Sequence, residues 1–388
     1  MPASPSLYLD WNATSPLHPA VIEAMRAAWE DAWANPASVH GPGRRARAAI
    51  DHAREAVAAL AGFDARDVVL TSGGTEANNL ALHFPFGGAP GALVLSRLEH
   101  PSVIRVAEQL EARGAQLAWI AVDGSGRISP EAVEAALDRA AEQAPVRLVT
   151  VQAVNHETGV IQPIPEVAAV VHARTLLLHV DAVQAVGKVE PSAWAGADLL
   201  SIAAHKIRGP KGIGALCTRP GIKLRPVLAG GAQERGLRPG TQDPAAAAGF
   251  AVAAERAREG GPQRQARLGA LRDRLESALI QLGAEGGPAP LRNGTGPRVP
   301  HVSNLSWLGW RGDELCAALD LEGVAVSSGS ACSAGTAEPS PVLRAMLSEA
   351  RASAAVRVSL GEETHAADVE AVLQRWARVI GRRVGRRQ

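Results

Sequence analysis

Cysteine is scarce in this 388-residue sequence, which contains only Cys217, Cys316 and Cys332. An odd, widely spaced set carries neither a disulfide framework nor a thiolate metal cluster, and it predicts a reducing compartment, the cytoplasm. Aromatic residues are also few, at 3% of the chain. Basic runs such as Arg44-Arg45-Ala46-Arg47 therefore lack the aromatic interleaving of a nucleic-acid surface and read as a solvated helix face. No charge sign dominates: the formal net charge is +1, so nucleic acid and acidic membranes exert no general attraction. The basic cluster Arg382, Arg383, Arg386 and Arg387 reads as a solvated end. Long apolar runs are missing, and Met1–Asp10 lacks the basic-then-apolar order of a leader peptide, so no membrane span is expected. The eleven histidines are dispersed, and His156-Glu157 lacks the second helical histidine of a zinc peptidase, so no metal is expected.

What the chain does have is enough apolar content, 46%, to bury a large core. Apolar, β-rich runs alternate with amphipathic helical ones, the pattern of an α/β fold with a mainly parallel sheet between helices. The strands expected are Asp67–Thr71, Ala92–Ser96, Leu117–Val122, Leu148–Val154, Thr175–Val180, Leu199–Ala203 and Gly214–Thr218. Ile50, Ala53, Val57 and Leu60 recur at helical spacing between Arg44 and Ala61, and Gly62 supplies a stop. The polar stretch Arg256–Gln265 reads as a connecting helix or a linker. Beyond it come a helix Leu268–Leu282, a Gly/Pro-rich loop Gly286–Pro297, a strand His301–Leu308 and a closing helix. The expected division is a large domain over 15–260 and a smaller α+β domain from 1–14 and 261–388.

Ligands of open parallel sheets sit at the carboxyl ends of strands, and three of those ends carry chemistry here. Ser72-Gly73-Gly74-Thr75-Glu76 opens a helix, where free N–H groups and the helix dipole suit a phosphate, although a purely structural helix cap would read the same way. Asp181 follows an apolar strand, a costly place for a carboxylate unless a cation or donors meet it; an ordinary N-cap is the other reading. Lys206, after a buried strand and beside His205 in a glycine-rich turn, suits a Schiff-base lysine or, more plainly, a solvated loop lysine.

The order of phosphate cradle, acid and lysine resembles that of fold-type I pyridoxal-phosphate (PLP) enzymes. More specifically, the chain resembles the NifS/IscS-like cysteine desulfurases of the class V aminotransferase group. The matching segments are Asn35 to Ser38, Thr71 to Asn79, Glu99-His100, Asn155 to Gly159, His179 to Lys188, His205 to Gly214, Glu234 to Thr241, Ser327 to Cys332 and Arg357 to Gly361.

That resemblance implies pyridoxal 5'-phosphate on Lys206, with Asp181 at its ring nitrogen, Gln184 at its phenolic oxygen and His100 stacked on the ring to shuttle protons. Phosphate contacts would come from Gly74, Thr75, His205 and Thr241, the last from Arg238-Pro239-Gly240-Thr241 reaching into the partner's site of a homodimer. Arg357 would take the carboxylate of L-cysteine, with Asn155 at cofactor and substrate and Asn12 at the entrance. Cys332, in a Ser/Gly loop over about 327–340, would receive the sulfur as a persulfide and release alanine. A sulfur-acceptor protein of an iron–sulfur cluster or thiolation pathway would take it on.

The match departs from the family at Ala203, where a serine or threonine commonly donates to the phosphate. It also departs at Trp11 and Asn12, and in ending soon after the last helix, without the longer tail that docks a cluster scaffold. Other readings are a different class V enzyme such as a selenocysteine lyase, which Cys332 and alanine release would discriminate, and a PLP-fold scaffold without turnover. Retention of Lys206, Asp181, His100, Cys332 and Arg357 together argues for the enzyme.

Overall fold

The computed structural model describes residues 6–87, 90–286, 288–329 and 339–384. Cys332 and its immediate neighbours lie outside the described residues, as do Arg386 and Arg387. In chain order the first strands are β1 (Leu7–Tyr8), β2 (Val68–Thr71), β3 (Ala92–Ser96), β4 (Gln116–Ile120), β5 (Val146–Gln152) and β6 (Leu178–Asp181). They are followed by β7 (Leu199–Ala203), β8 (Gly214–Thr218), β9 (Leu291–Arg292), β10 (Val302–Ser306), β11 (Val324–Ala325) and β12 (Ala355–Ser359).

Seven of them form one sheet in the order β2-β8-β7-β6-β5-β3-β4. All its pairings are parallel except those of β8, which runs against both β2 and β7. Two reversals restore the direction, so the carboxyl ends of β2, β6 and β7 share one edge. That edge is where the three loaded strand ends of the sequence meet.

Every residue of β2, β3, β7 and β8 is buried, as a sheet covered on both faces requires. Val94, Val149 and Val180 pack on one face with Ile50 and Val57 of the helix Gly41–Ala61, while Leu93, Leu95 and Leu148 pack on the other. That helix ends at Gly62, whose φ of 79° is left-handed and suits a residue without Cβ. A separate apolar cluster joins Leu275, Leu305, Val356, Val372 and Trp376 beneath the antiparallel set β12-β10-β9.

The polar stretch Arg256–Gln265 is helical on both sides of a break at Gly260: one helix covers Pro244–Glu259, the next Gly261–Gly286. Gly261 has φ +37°, which turns the chain between them. The second helix is longer than the apolar spacing predicts, because its first turns are polar. The strand expected over Thr175–Val180 instead covers Leu178–Asp181, which puts the aspartate inside the ladder. Among the described residues, no helix is long and apolar enough to cross a membrane.

Candidate active site

A cavity of about 220 Å³ opens at the shared carboxyl edge. Of the residues singled out in the sequence, Asn12, Gly74, Thr75, His100, Asp181, Gln184, His205, Lys206 and Arg357 line it. Asn155 and Thr241 are not among its lining residues.

The floor begins where β2 turns into the helix Gly74–His83. Gly73 adopts φ +153°, ψ −176°, a region open essentially to glycine alone, and it caps the helix without any side-chain acceptor. Gly214 lies so close that a Cβ there would stand 2.7 Å from Gly73 Cα. At Gly74 a Cβ would stand 2.7 Å from Val183 Cγ2, so a larger residue there would push the helix start away from the strand end of Asp181 or displace Val183. The turn is braced by Glu76, whose Oε2 accepts from the Ser72 N–H at 2.6 Å and whose Oε1 accepts from Arg238 Nε at 3.1 Å. Arg238 begins the Arg-x-Gly-Thr segment, so one carboxylate ties that segment to the cradle.

Asp181 is 7% exposed and well provided with donors. Its Oδ2 accepts from Asn78 Nδ2 at 2.8 Å and its Oδ1 from the Val183 N–H at 3.0 Å. Two donors offset part of the desolvation of a charge, and the open cavity side leaves room for a cationic partner.

Lys206 ends the short 3-10 turn after β7, and its ammonium donates to the carbonyls of Asn12 at 2.5 Å and Ala13 at 2.8 Å. Gln184 donates to the same Asn12 carbonyl at 2.9 Å and accepts from Lys188 Nζ at 2.5 Å. Asn12 is thus a backbone hub; its own side chain bonds His156 O and His301 Nε2. Burial, with Lys206 and Arg357 adding to it, holds the Lys188 ammonium well below its ordinary value. His205, which meets Thr14 Oγ1 at 3.1 Å, is pushed down to about 4 by burial and then by Lys206, Lys188 and Lys211.

His100 caps the helix Pro101–Ala112, its Nδ1 accepting from the Ser102 N–H at 3.1 Å. His156 stands edge-on to it with ring centroids 5.3 Å apart. Burial first, and the nearby His156 and Lys206 next, push His100 down to about 4, against the opposing pull of Asp181 and Glu157. The preceding residue, Glu99, is pushed up to about 8 by its complete burial, with Asp181 adding to the shift, so it is a neutral acid at pH 7.

Arg357, from the middle of β12, is 2% exposed; it donates to His156 O at 3.0 Å and to Asp10 Oδ1 at 2.6 Å. Its Nε is buried without a partner. Asn155 is spent on structure: its Oδ1 accepts from the Glu157 and Thr158 N–H groups, and its Nδ2 donates to Leu98 O. Thr241 is exposed on the segment after Arg238. Asn78, Ser102, Gln152 and His156 also line the cavity, although the sequence reading assigned them no role. Asn78 lies inside the Gly-Gly-Thr-Glu-Ala-Asn run, and its place one helical turn after Gly74 was the available signal. Nothing in the sequence distinguishes Ser102 from an ordinary first-turn serine.

Comparison with known proteins follows the same lines. The family model described as aminotransferase class-V matches residues 7–372. A cysteine desulfurase of Gluconacetobacter diazotrophicus is 38% identical over 384 residues, covering 97% of this chain and 94% of that one. A solved NifS-like protein superposes with TM-score 0.86 at 30% identity, covering 97% of this chain and 99% of its own. Another, SspA in complex with cysteine, gives TM-score 0.75 at 32% identity over 91% of this chain and 98% of that one. With a family model over nearly the full chain and relatives of this identity and coverage, the protein belongs to the class-V aminotransferase family and, within it, to the cysteine desulfurases.

Proposed function

We propose that this protein binds pyridoxal 5'-phosphate in the cavity at the sheet edge and uses it to move sulfur from L-cysteine onto Cys332, releasing L-alanine. The observation that carries the reading is the convergence of Lys206, Asp181, Gly74 and Thr75 of the cradle, and Arg357 around one cavity. The residues fit the cofactor. A lysine amine, a buried carboxylate for a cationic ring nitrogen, and an uncapped helix start for a phosphate are its three chemical requirements. Ala203 lines the cavity as a methyl group, so this strand end offers no hydroxyl to the phosphate.

When bound, the cofactor supplies an electron-withdrawing ring that labilises bonds at the substrate's α-carbon. Lys206 would hold the cofactor through its amine, Asp181 would meet its ring nitrogen, Gln184 its phenolic oxygen, and Gly74, Thr75 and His205 its phosphate. Arg357 binds the substrate carboxylate: it lines the cavity, and each of its terminal nitrogens keeps a second N–H beyond those given to His156 O and Asp10 Oδ1. Asn12 shapes the entrance, and Asn155 supports the site by holding the Leu98 to His100 turn from below. His100 carries protons. Cys332 then forms a bond to the substrate sulfur as the carbon–sulfur bond breaks; the freed carbon gains a proton, giving alanine and an enzyme persulfide.

The sulfur passes to an acceptor protein of an iron–sulfur cluster or thiolation pathway, and a thiolate nucleophile of this kind suits the reducing cytoplasm. The working unit we assign is a homodimer in which Thr241 serves the partner's phosphate. The separate apolar cluster of Leu275, Leu305, Val356, Val372 and Trp376 supports a small domain from 1–14 and 261–388 beside a large one over 15–260.

The test is visible absorbance of the protein supplied with the cofactor, followed by alanine and sulfide release from cysteine with a thiol reductant. Coloured protein that forms alanine, with Cys332→Ala keeping the colour and losing turnover, supports the reading. Colour without alanine means another reaction of the class, and absence of colour with Lys206 intact removes the cofactor assignment.

A further inference from the structure

Asp181 and His100 are joined by two side chains. The Asp181 carboxylate only accepts, so the Asn78 atom 2.8 Å from its Oδ2 is the amide nitrogen. The second hydrogen of that nitrogen reaches Ser102 Oγ at 2.8 Å. Ser102 Oγ also stands 2.8 Å from His100 Nδ1, and because that nitrogen already accepts from the backbone N–H of Ser102, the hydroxyl turns its own hydrogen to it. The Ser102 N–H donates to the same Nδ1 at 3.1 Å. This second donor is dictated by local sequence: Pro101 has no N–H, so Ser102 supplies the first free N–H of the helix and the preceding histidine caps it.

We propose that Ser102 and Asn78 are positioning residues that hold neutral His100 as the tautomer with its hydrogen on Nε2, the charge of Asp181 setting the direction at the Asn78 end of the chain and the Ser102 backbone N–H setting it at the histidine. The proposal rests on the reading of His100 as the proton-carrying group. Two donors converge on Nδ1 and exclude a hydrogen there, so the ring carries its single hydrogen on Nε2, the nitrogen turned away from Ser102. Nδ1 can be protonated only if the serine hydroxyl reverses and the backbone N–H loses its acceptor. Around His100, Asp181 and Glu157 favour an added proton, while Lys206 and the adjacent His156 oppose it. Glu99, on the same turn, is neutral at pH 7 and adds no charge. The residue that binds the cofactor's ring nitrogen and the residue that handles protons are therefore linked through Asn78, and a change in charge at Asp181 would reach His100 without direct contact.

The experiment is nitrogen-15 NMR of histidine-labelled protein with pyridoxal phosphate bound, with the His100 signals assigned by their loss in His100→Asn. At neutral pH the expected spectrum has a protonated Nε2 and an unprotonated, hydrogen-bonded Nδ1. A hydrogen on Nδ1 overturns the proposal. In Ser102→Ala the neutral ring loses one of its two donors, so the His100 titration should rise by up to about one pH unit. The acid limb of alanine formation should rise with it, and Ser102→Thr, which keeps the hydroxyl, should restore both. An unmoved titration in Ser102→Ala overturns the role of Ser102. Should the wild type make no alanine from cysteine, the desulfurase reading fails, while the NMR result still decides the tautomer.

Discussion

Arg357 Nη2 stands 2.6 Å from Asp10 Oδ1, joining the middle of β12 to the segment just after β1. The contact orients a guanidinium that lines the cavity and bonds His156 O through its other terminal nitrogen. Lysine cannot reproduce that fork. Arg357→Lys should raise KM for cysteine roughly 10- to 100-fold, as loss of a charge-assisted bond implies, while the cofactor's visible absorbance is retained. Asp10→Asn should raise KM several-fold with kcat nearly unchanged. A fall in KM would mean that Asp10 competes with the substrate carboxylate instead of orienting the arginine.

Gly74→Ala places a methyl group 2.7 Å from Val183 Cγ2, beside the strand end that carries Asp181. Overpacking of this kind costs about 1–3 kcal/mol, and here the strain falls on the cradle. Cofactor affinity, measured by titrating visible absorbance, should drop roughly tenfold or more. Val183→Ala in the same chain should recover most of it, and failure to recover would place the defect elsewhere than in that contact.

Ser340 Oγ donates to Glu157 Oε1 at 2.6 Å and also caps the helix Pro341–Met346 through the Val342 and Leu343 N–H groups. Glu157 is wholly buried and its Oε2 has no hydrogen-bond partner. Ser340→Ala should therefore destabilise the fold by about 2–4 kcal/mol, combining a lost cap with a poorly paired buried carboxylate. Chemical denaturation of the variant checks this, and a loss under about 0.5 kcal/mol would contradict it.

Acid should destabilise the protein before its carboxylates titrate. His100, His179 and His205 are each held down to about 4, and His301 well below its usual value, in all four cases by burial first. Unfolded histidines near 6.5 bind protons that these folded ones do not, so stability falls as pH drops from about 6.5 towards 4. Glu99 has the opposite sign: its folded acid keeps a proton up to about 8, so its contribution is lost as pH rises through that value. Near pH 5.5 the balance is an uptake of roughly three protons on unfolding. The slope of unfolding free energy against pH measures it, and a flat profile between pH 5 and 6.5 would contradict the burial of these rings.

Much of this architecture was legible in the linear order of residues. Strand–helix alternation is a short-range pattern, and Ala92–Ser96, Leu199–Ala203 and Gly214–Thr218 are the strands it predicts. Gly73, Asp181 and Lys206 announced themselves because each follows an apolar run, where a turn, a charge or an amine needs a reason. Where the reading slipped, tertiary packing outweighed local pattern. The helix Gly261–Gly286 begins in polar residues that pair across the molecule, such as Arg264 with Glu362.

The sequence by itself determined the fold class, the family and the chemical character of the cavity, since these depend on residue type and spacing along the chain. Only the tertiary structure decided which groups converge. It spent Asn155 on its own loop, gave Arg357 its Asp10 partner, made the Asn12 carbonyl the hub for Lys206 and Gln184, and linked Asp181 to His100 through Asn78 and Ser102. Asn78 and Asp181 lie 103 positions apart, and Arg357 and Asp10 lie 347 apart. Hydrogen bonds act over about 3 Å, so no local pattern encodes such pairs; the sheet edge brings them together by folding strands that are distant in the chain onto one line.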